Sequence, residues 1–411
     1  MEKLIAKYLN KLEAQGLASK ADAVFLALDA EVISNKPIQG DILGLSRVFD
    51  FMSINSLLFA QPAEPYKGII DEIIRYDSHY QAQGKIVPMD CETRTFFHDI
   101  PIVGEFLPEV IAEALSRRKS VIVKDRGIVT YGVVTPEQAF VSFSSTCFST
   151  FVKYFFDILT HLEDCCSGKA LPDNDRIRGF QEIVRRYRMV APDQSAASLS
   201  PGPPGDEDAI ISMLAEAGRA VVEHRLVDSY FGNISYTHGS TIYISQTGSS
   251  MDELESCIDA VPLDGSSSGG ITASSELSAH KNVYLQTGQT AILHGHPRFP
   301  VLLSLHCPGK DCDRGLCHSA CREKRDIAGI PVVSGEIGTG PAGLMHTVPP
   351  AMQENRGVIV YGHGVFTSGR NDFQKPFSRL LDIDKTCRAE YFRRIGKYLE
   401  ELKIDPEFLG E

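Results

Sequence analysis

Two histidines stand two residues apart in His294-Gly295-His296, at the end of the apolar run Ala291–Leu293. On a strand, residues i and i+2 face the same side, so both imidazoles reach one ion. A third histidine, His363, follows another short apolar stretch and lies between Gly362 and Gly364, where the backbone is free to turn sharply. Three imidazoles with an open fourth position are the layout of a catalytic zinc site. A carboxylate is available in Ser274-Ser275-Glu276. Beside a metal, Glu276 would have its pKa tuned and could move protons. The triplet falls at the start of a predicted helix, where unpaired N–H groups and the dipole favour an anion. The same triplet would also serve as an N-cap with an acidic first turn. Gly232-Asn233-Ile234-Ser235 and Thr247-Gly248-Ser249 read as turns with short side-chain donors.

The elements that must position these residues follow from periodicity. A helix is expected over Asp208–His224, with strands near Asn233–Tyr236 and Thr241–Ser245. A helix from about Ser274 to Gln286 precedes a strand at Ala291–His294. After an irregular stretch come a helix at Val348–Glu354, strands at Gly357–Tyr361 and Val365–Ser368, and a long helix from Pro376. Short strands of mixed order with helices on their sides make an α/β/α layered domain.

A linker is expected over 191–207, a stretch rich in Ser, Pro, Gly and acids. It divides the chain into residues 1–190 and 208–411, and the two halves repeat. Arg118–Phe155 lies over Asn355–Phe392 without gaps: Gly127 falls on Gly364, Thr130 on Thr367, Gly132 on Gly369 and Phe140 on Phe377. Coinciding turn glycines indicate a repeated backbone. A weaker match, two residues out of step, sets Phe59 and Gln61 on His294 and His296, and the first match sets Arg126 on His363. Phe and Arg are not zinc ligands and Gln is a poor one, so the first half is expected to hold no metal.

The order Gly-Asn-Ile-Ser, Thr-Gly-Ser, Leu263-Asp264-Gly265, Ser-Ser-Glu with His280 after it, His-Gly-His-Pro and Gly-His-Gly resembles the class II aldolase/adducin family across about 206–395. The resemblance implies two tandem α/β/α class II aldolase-like domains with mixed, mostly antiparallel sheets, the first a degenerate copy. It implies that His294, His296 and His363 bind Zn²⁺ or another divalent transition metal, and that Glu276 is the acid/base. Asn233, Thr247, Gly248, Ser274 and Ser275 would hold a substrate phosphate. The implied reaction is that of a lyase on a small phosphorylated sugar or polyol through a metal-stabilised enediolate. An epimerase, dehydratase or decarboxylase on the same site, or a non-catalytic adducin-like role, are its rivals. The tyrosine that family aldolases use as a second acid is missing, since none lies between Arg298 and Val360. Family members form rings with four-fold symmetry, so a dimer of two-domain chains, or a tetramer, is expected.

Composition limits the partners. The formal net charge is −12 over 411 residues, which argues against nucleic acid or an anionic membrane. No apolar run approaches the ~18 residues of a membrane span, and the N-terminal segment reads as an amphipathic helix rather than a signal peptide. A cytoplasmic protein is expected. Ten cysteines then favour reduced, metal-bound or catalytic thiols. Four of them, Cys307, Cys312, Cys317 and Cys321, crowd into His306–Asp326 beside Lys310, Arg314, Arg322, Lys324 and Arg325. This stretch reads as a second metal site, a redox-sensitive loop or a set of reduced thiols.

Overall fold

The computed structural model describes all residues except 192–194, 196, 228, 229, 267, 308, 310, 311, 313–315, 320, 322, 337–339, 410 and 411. Part of the expected linker and the side chains of Lys310, Arg314 and Arg322 therefore lie outside the described residues. The chain divides into two compact units, Met1–Ala191 with Tyr398–Glu411, and Pro192–Lys397. The last residues thus pack with the first unit: Arg188 donates from Nη1 to the Phe408 carbonyl at 3.0 Å, and Phe408 meets the Phe180 ring edge-on.

The first unit holds β1 (Val24–Leu28), β2 (Val32–Ser34), β3 (Ser56–Ala60), β4 (Lys85–Ile86), β5 (Ile100–Val103), β6 (Ser120–Val123) and β7 (Gly127–Gly132), in the order β2-β1-β3-β7-β6-β5-β4. The second holds β8 (Asn233–His238), β9 (Thr241–Ser245), β10 (Ile258–Pro262), β11 (Ala291–Gly295), β12 (Arg325–Ile327), β13 (Ile330–Val333), β14 (Gly357–Val360) and β15 (Gly364–Gly369), in the order β10-β9-β8-β11-β15-β14-β13-β12. Apart from the extra β10, the two orders are the same. Each sheet has one parallel pair, β5–β6 and β13–β14, at matching places, and antiparallel pairs elsewhere.

The repeat extends to register. Ser56 pairs with Gly132 across β3 and β7, as Ala291 pairs with Gly369 across β11 and β15. The offsets are 235 (291 − 56) and 237 (369 − 132), the two the sequences require. Phe59, Gln61 and Arg126 therefore stand where His294, His296 and His363 stand. Particular interactions recur as well. Thr130 donates to the Ala139 carbonyl at 2.7 Å and Thr367 to the Pro376 carbonyl at 2.9 Å. A Cβ at Gly127 would come within 2.4 Å of the Ala60 carbonyl, and one at Gly364 within 2.5 Å of the Gly295 carbonyl. Glycine is required at both places because the backbones touch.

Helices cover the sheets. In the second unit Leu277–Thr287 and Leu344–Glu354 bury Val283, Tyr284, Val348 and Met352 against Ile242, Ile244, Ile292, Val358 and Phe366. The helix expected from Val348 begins at Leu344 and runs through Pro349 and Pro350. Proline at 349 cannot donate to the Met345 carbonyl. Asn282 Nδ2 takes that carbonyl instead, at 3.0 Å. The stretch expected to be irregular contains the helix Arg298–Leu305 and the β12–β13 hairpin. The hairpin turns on Ala328 and Gly329 with φ of 50° and 80°, the left-handed pair of a tight two-residue turn.

Candidate metal centre

The site lies at one end of the second sheet. Antiparallel pairing brings together the starts of β8 and β15 and the ends of β9, β11 and β14: Asn233 faces His294, Gly295 faces Val365, and Gly364 faces Val360. His294 therefore leaves β11 beside Asn233, His296 follows two residues on, and His363 comes from the β14–β15 turn, all three buried. The Nε2 atoms of His294 and His296 are 2.9 Å apart, and those of His294 and His363 are 3.1 Å apart. Nitrogens bound tetrahedrally at about 2.1 Å from one zinc ion stand about 3.4 Å from each other, so the spacing is close to that of a shared ligand set.

Other features fit an ion at this point. His294 Nδ1 lies 3.1 Å from the Val365 carbonyl; a proton on Nδ1 donated there leaves Nε2 with its lone pair inward. A Cβ at Gly364 would stand 2.8 Å from His294 Cε1 and 2.9 Å from His296 Cδ2, so the glycine keeps the cradle open. Burial pushes the His294 pKa down to about 4 and drives His296 well below its usual value. Neutral imidazole is the form that ligates.

Glu276 completes the group. Its Oε1 is 2.9 Å from His363 Nε2 and its Oε2 is 3.5 Å from His294 Nε2. Burial alone would raise its pKa, but His294, His363 and Asn233 outweigh that and hold the carboxyl below the usual range. Asn233 Nδ2 donates to Oε2 at 2.8 Å, so the structure places Asn233 on the carboxylate. A parallel pair sits one turn further along the same helix: His280 Nδ1 is 2.6 Å from Ser235 Oγ, which is 2.5 Å from the Tyr284 hydroxyl. Burial pushes His280 down to about 3. Asn233 Oδ1 and His280 Nε2 are buried without a partner among the described residues.

The Ser-Ser-Glu triplet differs from its sequence reading. The helix begins at Leu277 with Glu276 as its N-cap, and the preceding backbone is zipped onto the end of β9. Ser274 N donates to the Ser245 carbonyl, Ser275 N to Thr247 Oγ1, Glu276 N to Ser274 Oγ and Leu277 N to the Ser274 carbonyl. These amides are not the free anion donors expected of a helix start. Thr247 Oγ1 in turn donates to the Ala273 carbonyl at 3.0 Å, and Gly248 turns beside it at φ 73°. Thr247, Gly248, Ser274 and Ser275 thus form one loop cluster adjoining Glu276, with the Ser275 side exposed.

Residues 212–391 match the family model described as Class II Aldolase and Adducin N-terminal domain. The C-terminal domain belongs to this family. Among solved structures, L-fuculose-1-phosphate aldolase from Thermus thermophilus is 24% identical over 46% of this chain and 96% of its own, with TM-score 0.37. An aldolase II superfamily protein from Pseudomonas syringae is 18% identical over 47% of this chain and 76% of its own, TM-score 0.35. A sugar-phosphate aldolase from Thermotoga maritima is 15% identical over 48% and 97%, TM-score 0.33. No curated protein matches the chain in sequence.

The first domain fills the equivalent place differently. Phe59, at the position of His294, packs on Phe106 at 4.9 Å between centroids, and the Arg126 guanidinium lies 4.6 Å over the Phe106 ring and pairs with Asp41. Two tilted rings and a guanidinium over one of them occupy the place of the imidazole cluster.

Proposed function

We propose that the class II aldolase domain is a divalent-metal-dependent lyase acting on a small phosphorylated sugar or polyol. The observation that carries this is the convergence of three buried imidazole nitrogens and one carboxylate on a single point, within a domain of this family. His294, His296 and His363 would hold the ion, with zinc the metal best suited to three imidazoles. When bound, it supplies Lewis-acid stabilisation of negative charge developing on a substrate oxygen.

The remaining work falls to side chains of this domain. Glu276 takes a proton from the carbon next to the substrate carbonyl and returns it, a general acid/base role worth about 10²–10⁴-fold in rate. Asn233 Nδ2 fixes the orientation of the carboxylate, and Asn233 Oδ1 is left as a buried acceptor that a substrate hydroxyl would satisfy. Ser274 and Ser275 hydroxyls, with Thr247 and Gly248 shaping the loop, take the phosphate end. Burial of the cluster excludes water and strengthens each electrostatic interaction there.

A second reading is favoured by one observation. With no tyrosine between Arg298 and Val360, the second acid that family aldolases place there is missing, which leaves an epimerase, dehydratase or decarboxylase on the same site as the second reading. Incubating the metal-loaded protein with pentulose and hexulose phosphates separates the two. Release of a three-carbon ketose phosphate supports the lyase. Isomerised or dehydrated product without fragments supports the second reading. Absence of any metal- and Glu276-dependent turnover, including solvent deuterium exchange into dihydroxyacetone phosphate, would sink both.

A further inference from the structure

In the second domain the connection from the helix Arg298–Leu305 to β12 covers residues 306–324. In the first domain the equivalent connection is only 77–84, most of it the helix Ser78–Gln83. The longer connection has almost nothing apolar to bury: Leu316, its one large aliphatic side chain, is 52% exposed. Its base is closed, because Arg325 Nη2 donates to the Ser304 carbonyl at 2.8 Å and to the His306 carbonyl at 3.3 Å. A loop of this length without its own core needs another means of holding a shape.

Its remaining resource is four cysteines, none in a disulfide. Cys317 is buried, and its thiol lies beside the Tyr361 hydroxyl. The thiols of Cys321, Cys307 and Cys312 lie close enough to act electrostatically on it. Cys307 and Cys312 converge from either side of Gly309, where a Cβ would stand 3.4 Å from one sulfur and 3.8 Å from the other. Four thiols gathered by spacing alone would be weak evidence, since Cys-x2-Cys pairs are the common arrangement. The placement of Cys307 and Cys312 on either side of one glycine, with the buried Cys317 within electrostatic range of the other three thiols, is the additional observation.

We infer that Cys307, Cys312, Cys317 and Cys321 bind a second divalent ion of soft-ligand preference, of the zinc type, at a structural site separate from the three histidines. Four thiolate ligands leave no open position and make a closed, structural centre. The four sulfurs stand wider than ligands of one ion; binding releases a proton from each thiol to solvent and draws them together, so loop order is coupled to metal. The site borders Tyr361, two residues before His363, and so stiffens the turn that carries the third histidine.

The test uses full-length protein produced with cobalt in place of zinc. Thiolate ligation gives a sulfur-to-cobalt charge-transfer absorption that an imidazole-only site does not. That band is expected in the unmodified protein and in His294→Ala, and is expected to vanish in Cys312→Ser/Cys321→Ser. Metal analysis is expected to show one ion fewer in each variant than in the unmodified protein. Absence of the band from the unmodified cobalt protein would overturn the inference without recourse to any variant. So would disulfides among the four cysteines in non-reduced peptide maps, or an ion content unchanged by the double substitution. Loss of the histidine-bound ion alone would leave the cobalt–thiolate band standing, so this test and that of the lyase reading fail separately.

Discussion

At the scale of single residues, the centre depends on where three nitrogens and one carboxylate point. Glu276→Gln keeps the hydrogen-bonding shape but removes the base. It should lower kcat by about 10²–10⁴-fold with metal content unchanged, as read by turnover and metal analysis on the same preparation; an unaffected kcat would remove Glu276 from the chemistry. Gly364→Ala places a carbon 2.8 Å from His294 Cε1 and 2.5 Å from the Gly295 carbonyl. Metal should be lost while far-UV circular dichroism is retained. Ser275→Ala, on the exposed side of the loop cluster, should raise KM for a phosphorylated substrate and leave ion content alone. The histidines also set a pH dependence. His294 at about 4 and His280 at about 3 bind fewer protons when folded than at the ordinary value of 6.5. Metal-free protein should therefore lose stability in the second domain as pH falls from 6.5 toward 4, and Glu276, held low, adds to that loss below its ordinary value of 4.5. Denaturant midpoints measured across that range that stay flat would contradict the burial described for these groups.

At the scale of elements, the ends of strands and the turns between them were the readable part. The two glycines around His363, the His-x-His at the end of an apolar run, and the repeated glycines of both halves carry their meaning in the residue types, because a tight turn or a backbone contact admits little else. Strand register follows from them, and with it the substitution of Phe59, Gln61 and Arg126 for the three ligands. Other features depend on contacts far apart in sequence and left no local signal. The helix Leu344–Glu354 was readable only from Val348, because prolines at 349 and 350 argue against a helix. The structure sustains it through Asn282, whose amide takes the carbonyl that Pro349 leaves unpaired. The amides of Ser274–Leu277 looked free because their acceptors, on Ser245 and Thr247, come from the preceding strand and loop. The Asn233–Glu276 contact was likewise invisible, since nothing in an Asn-Ile-Ser turn shows that its amide faces a carboxylate 43 residues on. Two substitutions test these elements. Asn282→Ala should destabilise the second domain by about 1 kcal/mol, the net worth of a hydrogen bond to a part-buried carbonyl, measured by denaturant unfolding. Thr130→Val and Thr367→Val remove the same hydrogen bond from the two domains, and each should cost about 1 kcal/mol; a large disparity would mean that the repeated contact does not do the same work in both halves.

At the scale of the whole molecule, one backbone plan is used twice with different contents. The sheets share strand order, the place of the parallel pair and the register at their centre. At the equivalent strand ends, one domain presents a cluster of buried imidazoles and a carboxylate, and the other an arginine lying over Phe106, whose ring also packs against Phe59. The last residues, Tyr398–Glu411, pack with the first unit, so truncation after about residue 397 should lower the stability of the first domain more than that of the second. Among the described residues no helix is long and apolar enough to cross a membrane. A dimer of two-domain chains, with domains alternating around a ring, remains our proposal for the assembly, and light scattering on the purified chain reads it directly. The central claim is that the three histidines hold a divalent ion. Metal content per chain, measured on protein purified without added metal and compared with His294→Ala of verified fold, tests it most directly. The expected result is one ion fewer in the variant, together with loss of turnover. Equal ion content in the two proteins, or no transition metal in the unmodified protein even after supplementation, would contradict it.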